Sequence, residues 1–312
     1  EWDDNDIKEV ASTLTGVTKI EAENVIAALI ANKEILKKDK EDIAFAKDRL
    51  FSDISGLEII EVNENVKHVG GLAGLRKWLD EKKELLKPEK REMLKAKGLQ
   101  SPRGILLVGV PGCGKSLSAK SISANWKLPL YRLDFATVQG SYVGQTEQQL
   151  KDALTTAENV SPCVLWIDEI EKAFSGVSGG SSTGDITDRL LGSFLTWLQE
   201  KKSQVFVIMT ANDVNKLPAE LIRKGRLDEV FFVEFPNNKE REQIFKIHLE
   251  KRRPTDLPNI DLNKIVSKTD GYSGADIEGV VKDAIELAFT SERNAVTTDD
   301  IIKSIDNTHS LK

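Results

Sequence analysis

Gly109-Val110-Pro111-Gly112-Cys113-Gly114-Lys115-Ser116 follows a short apolar run and opens a helical pattern. Glycines at this spacing let backbone N–H groups wrap phosphate oxygens, and the helix start adds positive potential there. Lys115 is then placed for the β and γ phosphates of a nucleotide and Ser116 for Mg²⁺. Pro111, Gly112, Cys113, Gly114 and Leu117 belong to the same phosphate-binding set. Cys113 has two readings: a thiol sensitised by the helix N-terminus, or a small residue that the tight loop requires. About 50 residues further on, Val164-Leu165-Trp166-Ile167 runs into Asp168-Glu169. A carboxylate pair ending a buried strand beside a phosphate loop suits nucleotide hydrolysis. Asp168 holds Mg²⁺ through water, and Glu169 orients and polarises the attacking water. Glu171 and Lys172 read as a solvated turn. Asn212 ends a third apolar run, Val205–Thr210, within reach of the γ-phosphate or that water, or else it caps the following turn.

The elements that position these residues alternate. The runs 105–108, 130–135, 164–167, 205–210 and 230–235 are short, apolar and rich in branched or aromatic residues, as strands buried on both faces should be. Helical patterns at 115–126, 147–159 and 187–199 lie between them. The spacing predicts a doubly wound α/β fold with five parallel strands between helices, and ligand beyond the carboxyl ends of the strands. After Pro236 the pattern is helical, over 239–251, 262–267, 273–289 and 298–305, and predicts a small helical second unit. Residues 1–60 read as an additional helical segment, with apolar residues at helical spacing from Val10 to Ile30 and again over Ile43–Leu50. Residues 61–101 form a connector with a helix over Leu72–Leu86. The division expected is therefore 1–60, 61–236 and 237–312. Ser175–Gly184, rich in Gly and Ser, reads as a mobile loop.

Composition narrows the classes. Hydrophobic residues at 40% and charged residues at 30% of 312 exclude a disordered chain, a collagen and a disulfide scaffold. No apolar run reaches the roughly 18 residues that span a bilayer, and the acidic N-terminus lacks a signal-peptide layout. The absence of an initial Met suggests a fragment or a processed form. A net charge of −6, without a basic arm, argues against nucleic acid as a partner. Two cysteines fit a reducing compartment, and with three histidines they make a structural zinc site improbable. The histidines His68, His248 and His309 form no H-E-x-x-H, which disfavours an integral protease.

In their order along the chain these motifs resemble the AAA clade of the AAA+ ATPases, over residues 66–306. Val69-Gly70-Gly71-Leu72 resembles the family's adenine-side linker. Leu217–Asp228 resembles its second region of homology, and Gly271-Tyr272-Ser273-Gly274-Ala275-Asp276-Ile277 its nucleotide-contacting lid motif. Ile247-His248 falls where the family places a histidine near base and ribose. Ser161–Ile170, Phe194–Lys201 and Leu14–Thr18 are similar to the plastid and cyanobacterial AAA family called Ycf forty-six. In that family a degenerate AAA-like domain precedes the active one, so residues 1–60 would be the lid of a truncated first domain. Glu171 stands where an Asp is usual, and Leu227 where Phe is commoner.

The resemblance implies ATP and Mg²⁺, with Val69, Gly70, His248, Gly274 and Ala275 joining the nucleotide contacts. It implies that Arg223 and Arg226 act in trans on a neighbour's γ-phosphate, in a homo-oligomeric, hexameric ring. The alternative is a surface ion pair with Glu220 or Asp228. It implies that Tyr142-Val143-Gly144 is a pore loop that grips polypeptide, an aromatic offering large, sequence-tolerant contact; the alternative is Tyr142 packing under its own helix. The function expected is an ATP-driven remodeller of an unidentified protein client, in the cytoplasm or a plastid stroma. A regulatory scaffold gated by ATP is the alternative, and a DNA-directed loader a weaker one.

Overall fold

The computed structural model describes residues 56–62, 72–86, 90–138, 143–173, 182–223 and 225–308, with scattered positions before residue 44. Most of the segment read as N-terminal helices lies outside the described residues, although Val10, Ile26 and Ile43 are helical. Val69, Gly70, Tyr142, His68 and His309 also lie outside them.

Six strands form one sheet: β1 Leu57–Ile60, β2 Gly104–Gly109, β3 Leu130–Leu133, β4 Cys163–Ile167, β5 Val205–Ala211 and β6 Glu229–Val233. Their order is β1-β3-β4-β5-β2-β6. Strands β2 to β6 are parallel, as the alternation predicts. β1 is a sixth strand, antiparallel at the β3 edge, pairing Leu57 with Leu133 and Ile60 with Leu130. It corrects both the five-strand count and the helical reading at residues 57–60. Leu57 is buried while Glu58 faces Arg132 across the pair at 3.7 Å. Four residues are too few for that alternation to stand out in sequence.

Adjacent residues of each central strand serve opposite faces. Leu106, Val108, Leu165, Ile167, Val207 and Met209 belong to one core; Ile105, Leu107, Val164, Trp166, Phe206 and Ile208 belong to the other. The second core is covered by α1 (Ala73–Lys83) and α2 (Lys115–Trp126), with Trp126 edge-on to Phe206 at 4.7 Å between centroids. The first is covered by α3 (Val143–Asn159) and α4 (Ser182–Glu200) through Leu150, Leu154, Leu190 and Phe194. Each such side chain contributes about 1.5–3 kcal/mol by its burial.

Both α3 and α4 begin earlier than the sequence predicts. Val143 and Gly144, expected in a loop, are the first residues of α3, and Ser182–Gly184 form the start of α4 rather than the end of a loop. Phe135 opens a short helix, Phe135–Val138, instead of extending β3.

Beyond β6, α5 (Asn238–Arg252), α6 (Leu262–Ser267), α7 (Gly274–Thr290) and α8 (Thr298–Asn307) pack around a core of their own, which includes Phe245, Leu249, Ile277, Val280 and Ile301. Helices α5, α7 and α8 each start with a reciprocal capping box: Asn237 with Glu240, Ser273 with Asp276, Thr297 with Asp300. Strand β2 sits between β5 and β6, so the carboxyl ends of β2, β4 and β5 open side by side under this helical unit.

Candidate functional site

The loop after β2 turns through two left-handed glycines, Gly112 at φ 77° and Gly114 at φ 88°. Gly112 also permits a close approach. A Cβ there would lie 2.7 Å from Ser273 Oγ and 3.0 Å from the Ala275 Cβ. The Gly112 carbonyl instead accepts the Ala275 N–H at 3.1 Å, docking the start of α7 on the phosphate loop. Unlike α5, α7 and α8, α2 has no side-chain cap at its N-terminus. Its first N–H groups thus remain directed at a ligand.

Lys115 is buried and donates to the carbonyls of Gly109 at 2.7 Å and Val110 at 2.8 Å. Burial lowers its pKa, opposed by Cys113 and the carboxylates Glu171, Asp168 and Glu169. Ser116 Oγ donates to Asp168 Oδ1 at 2.9 Å, which brings together the two groups assigned to Mg²⁺. Mg²⁺ keeps several waters and needs one or two oxygen ligands beside substrate phosphates, so this pair fits it. Bound there with the nucleotide, the ion would neutralise phosphate charge.

Asp168 Oδ1 also accepts the Thr210 hydroxyl at 2.5 Å, and Thr210 Oγ1 accepts the Glu169 N–H at 3.0 Å. Thr210, fully buried near the end of β5, thereby ties both carboxylate positions to the neighbouring strand. Glu169 itself is left-handed, at φ 50°. For a residue with a Cβ that costs roughly 1–3 kcal/mol and is concentrated at functional sites. Its Oε1 accepts Asn212 Nδ2 at 3.1 Å and its Oε2 pairs with Lys172. The hydrogen bond from Lys172, followed by that from Asn212, holds the Glu169 carboxyl below the ordinary glutamate pKa against its partial burial.

Glu171 corrects the reading of a solvated turn. It is 6% exposed, and its Oε1 accepts the Asn212 backbone N–H at 2.9 Å. Lys172 is exposed, as expected.

The phosphate loop and the polar strand ends, without Glu171 and Lys172, line one cleft of about 520 Å³. Pro111 to Leu117 form its floor; Asp168, Glu169, Thr210 and Asn212 form one end; Ile244, Ile247, His248, Gly274 and Ala275 come from the helical unit. The apolar wall suits a flat base. His248 Nδ1 lies 3.1 Å from Arg252 Nη1, and burial lowers the His248 pKa. The sequence reading missed Thr210, Ile244 and Glu171. A hydroxyl near the end of an apolar strand was the one available signal for Thr210.

Arg223 and Arg226 do not join the cleft. Arg223 is exposed at the end of the short helix Ala219–Ile222, and Arg226 donates to the Glu220 carbonyl. Among the described residues neither pairs with a carboxylate; Asp228 instead accepts the N–H groups of Arg103 and Gly104.

Residues 105–235 match the model of the ATPase family associated with various cellular activities (AAA), and residues 259–303 match that of the AAA+ lid domain. The two matches together cover more than half of the chain. The chain belongs to the AAA family of ATPases. It is 41% identical over 93% of its length to an uncharacterised AAA domain-containing protein, ycf46, of Guillardia theta, and 38% identical over 94% to that of Pyropia yezoensis. It is 34% identical over 86% of its length to a cell division cycle protein 48 homologue of Archaeoglobus fulgidus. The chain spans 56%, 59% and 36% of these relatives. AAA ATPases act on ATP with Mg²⁺, and the family typically forms hexameric rings. No described helix is long and apolar enough to cross a membrane.

Two results are expected of this AAA site. Burial pushes the Cys113 thiol pKa up, with Lys115 opposing, which favours the second of the two sequence readings, a small residue that the tight loop requires. Alkylation of Cys113 should be slow at neutral pH and faster as pH rises. Each adduct should block ATP binding, and ATP with Mg²⁺ should protect. Equal sensitivity in Cys113→Ser would place the reactive group elsewhere, at Cys163. The second result concerns Lys172. Because Lys172 lowers the Glu169 pKa and a base must be unprotonated to act, Lys172→Met should move the acidic limb of the turnover profile to higher pH. An unmoved limb in a matched pH series would show that the pair does not persist during turnover.

Proposed function

We propose that this chain is the motor of an ATP-hydrolysing ring that remodels or threads a protein client. The observation that supports it is the arrangement of the cleft and the two arginines. The cleft gathers the phosphate loop with Ser116, Asp168, Glu169 and Asn212, and no arginine is among its described lining residues, while exposed Arg223 and half-buried Arg226 lie outside it. A site that needs an arginine from a neighbour is active only in an assembly, which couples each hydrolysis to movement between subunits.

Within the cleft, backbone N–H groups of the Gly112–Ser116 loop and Lys115 bind and orient the phosphates. Ser116 and Asp168 hold Mg²⁺, which supplies charge neutralisation when bound. Glu169 takes a proton from the water that Asn212 helps to place. Ile244, Ile247 and His248 shelter the base, and the family resemblance adds Val69 and Gly70, outside the described residues, to its contacts. In this reading Tyr142, followed by Val143 and Gly144, faces a central pore. The compartment is the cytoplasm or a plastid stroma, and no nucleic acid is expected as partner. An unfolded protein should stimulate turnover several-fold in wild type and not in Tyr142→Ala, whose basal rate should be unchanged. Equal stimulation in both, or none in either, would favour the scaffold over the threading motor.

A further inference from the structure

We infer that Glu171 is a positioning residue for the water-side sensor: its buried carboxylate fixes Asn212, and Asn212 in turn aligns Glu169. The inference rests on the roles given above to Asn212 and Glu169. Asn212 stands one residue beyond the last residue of β5, so the sheet ladder supplies no partner for its N–H. Glu171 supplies one, through Oε1 at 2.9 Å, and the Asn212 side chain then reaches Glu169 Oε1 at 3.1 Å. The left-handed turn at Glu169 makes this possible. It starts the short helix Ile170–Ala173, which sends Glu171 into the protein and Lys172 back over Glu169.

Stability alone does not account for Glu171. The side chain is 6% exposed, and its Oε2 has no hydrogen-bond partner among the described residues. A buried carboxylate with one oxygen unsatisfied is costly to hold, and such groups are retained where a second demand exists. Here that demand is geometric. A sensor on the free end of a strand would otherwise swing with its backbone, and displacements of about 1 Å at reacting groups cost up to about 10²-fold in rate. The competing role is electrostatic, because Glu171 also contributes to the negative field around Lys115. Glutamine separates the two: it keeps an oxygen acceptor for the Asn212 N–H and removes the charge.

The experiment is steady-state ATP hydrolysis by the full chain, wild type against Glu171→Leu, Glu171→Gln and Asn212→Ala, singly and with Asn212→Ala combined with Glu171→Leu. Glu171→Leu should lower kcat about 10–100-fold with KM for ATP and ATP binding within about threefold of wild type. Glu171→Gln should keep kcat within about threefold. In the Asn212→Ala background, Glu171→Leu should add less than about threefold, because its effect passes through Asn212. A structural role alone would give additive losses and no rescue by Gln. Normal kcat in Glu171→Leu, or equal losses in the Leu and Gln variants, would overturn the inference. Should Glu171→Leu fail to fold, Glu171→Asp carries the same test, its carboxylate one methylene short of Asn212. If Asn212→Ala itself leaves kcat unchanged, the sensor role falls and the inference with it. If only Asn212→Ala lowers kcat, the sensor stands and Glu171 does not position it.

Discussion

Glu169→Gln should bind ATP and leave it unhydrolysed, while Lys115→Ala should fail to bind. The carboxylate and the lysine line the same cleft but, in the proposed mechanism, meet different parts of the substrate. Lys115 is buried in the loop after β2, and the other lysine among the described lining residues, Lys251, stands across the cleft on α5. Its loss should weaken binding about 100-fold or more, the equivalent of roughly 3 kcal/mol. Glu169 touches Asn212 and Lys172 and lies at the end of the cleft to which the proposal assigns the attacking water. Replacing its carboxylate by an amide keeps the size and removes the base, so turnover should fall about 10²–10⁴-fold with affinity unchanged. Binding of a fluorescent ATP analogue, paired with phosphate release, separates the two. Near-normal turnover in Glu169→Gln would remove it as the base.

The second large effect is expected at the arginines. Arg223→Ala/Arg226→Ala leaves every residue of the cleft in place, so ATP affinity should survive. Turnover should fall about 10³–10⁵-fold, roughly 4–7 kcal/mol in the barrier, the range for an arginine that meets transition-state charge. A surface role predicts a small change, because exposed ion pairs contribute about 1 kcal/mol at most and neither arginine forms one among the described residues. Each single variant shows which arginine carries the effect. Arg226, anchored on the Glu220 carbonyl, is the more constrained of the two.

What sequence could and could not show follows from how each group is placed. The placement of the loop was legible because its residues are contiguous: Gly112, Gly114, Lys115 and Ser116 line the cleft from one turn. Asp168, Glu169 and Asn212 were legible because each follows an apolar run, and parallel strands carry such ends to one side of a sheet. Thr210 was hidden inside the run that it ends. Glu171 was misread because polar neighbours suggest solvent, whereas the positive φ of Glu169, a residue with a Cβ, leaves no mark in the sequence. β1 was absorbed into a helical region because four residues cannot establish a period. Helix starts were late by four to five residues at α3 and α4, where polar first turns hide the helix.

The central claim is that one subunit supplies the cleft and its neighbour the arginine. It is tested most directly by mixing Arg223→Ala/Arg226→Ala protomers with Glu169→Gln protomers and following steady-state phosphate release at ring-forming concentration. Neither parent contains an interface with both an intact base and an intact arginine; mixed rings do. The shared site predicts turnover that peaks at intermediate ratios. Turnover at the parental level at every ratio, in mixed rings verified by mass and with single mutant subunits shown not to poison wild-type rings, would contradict it.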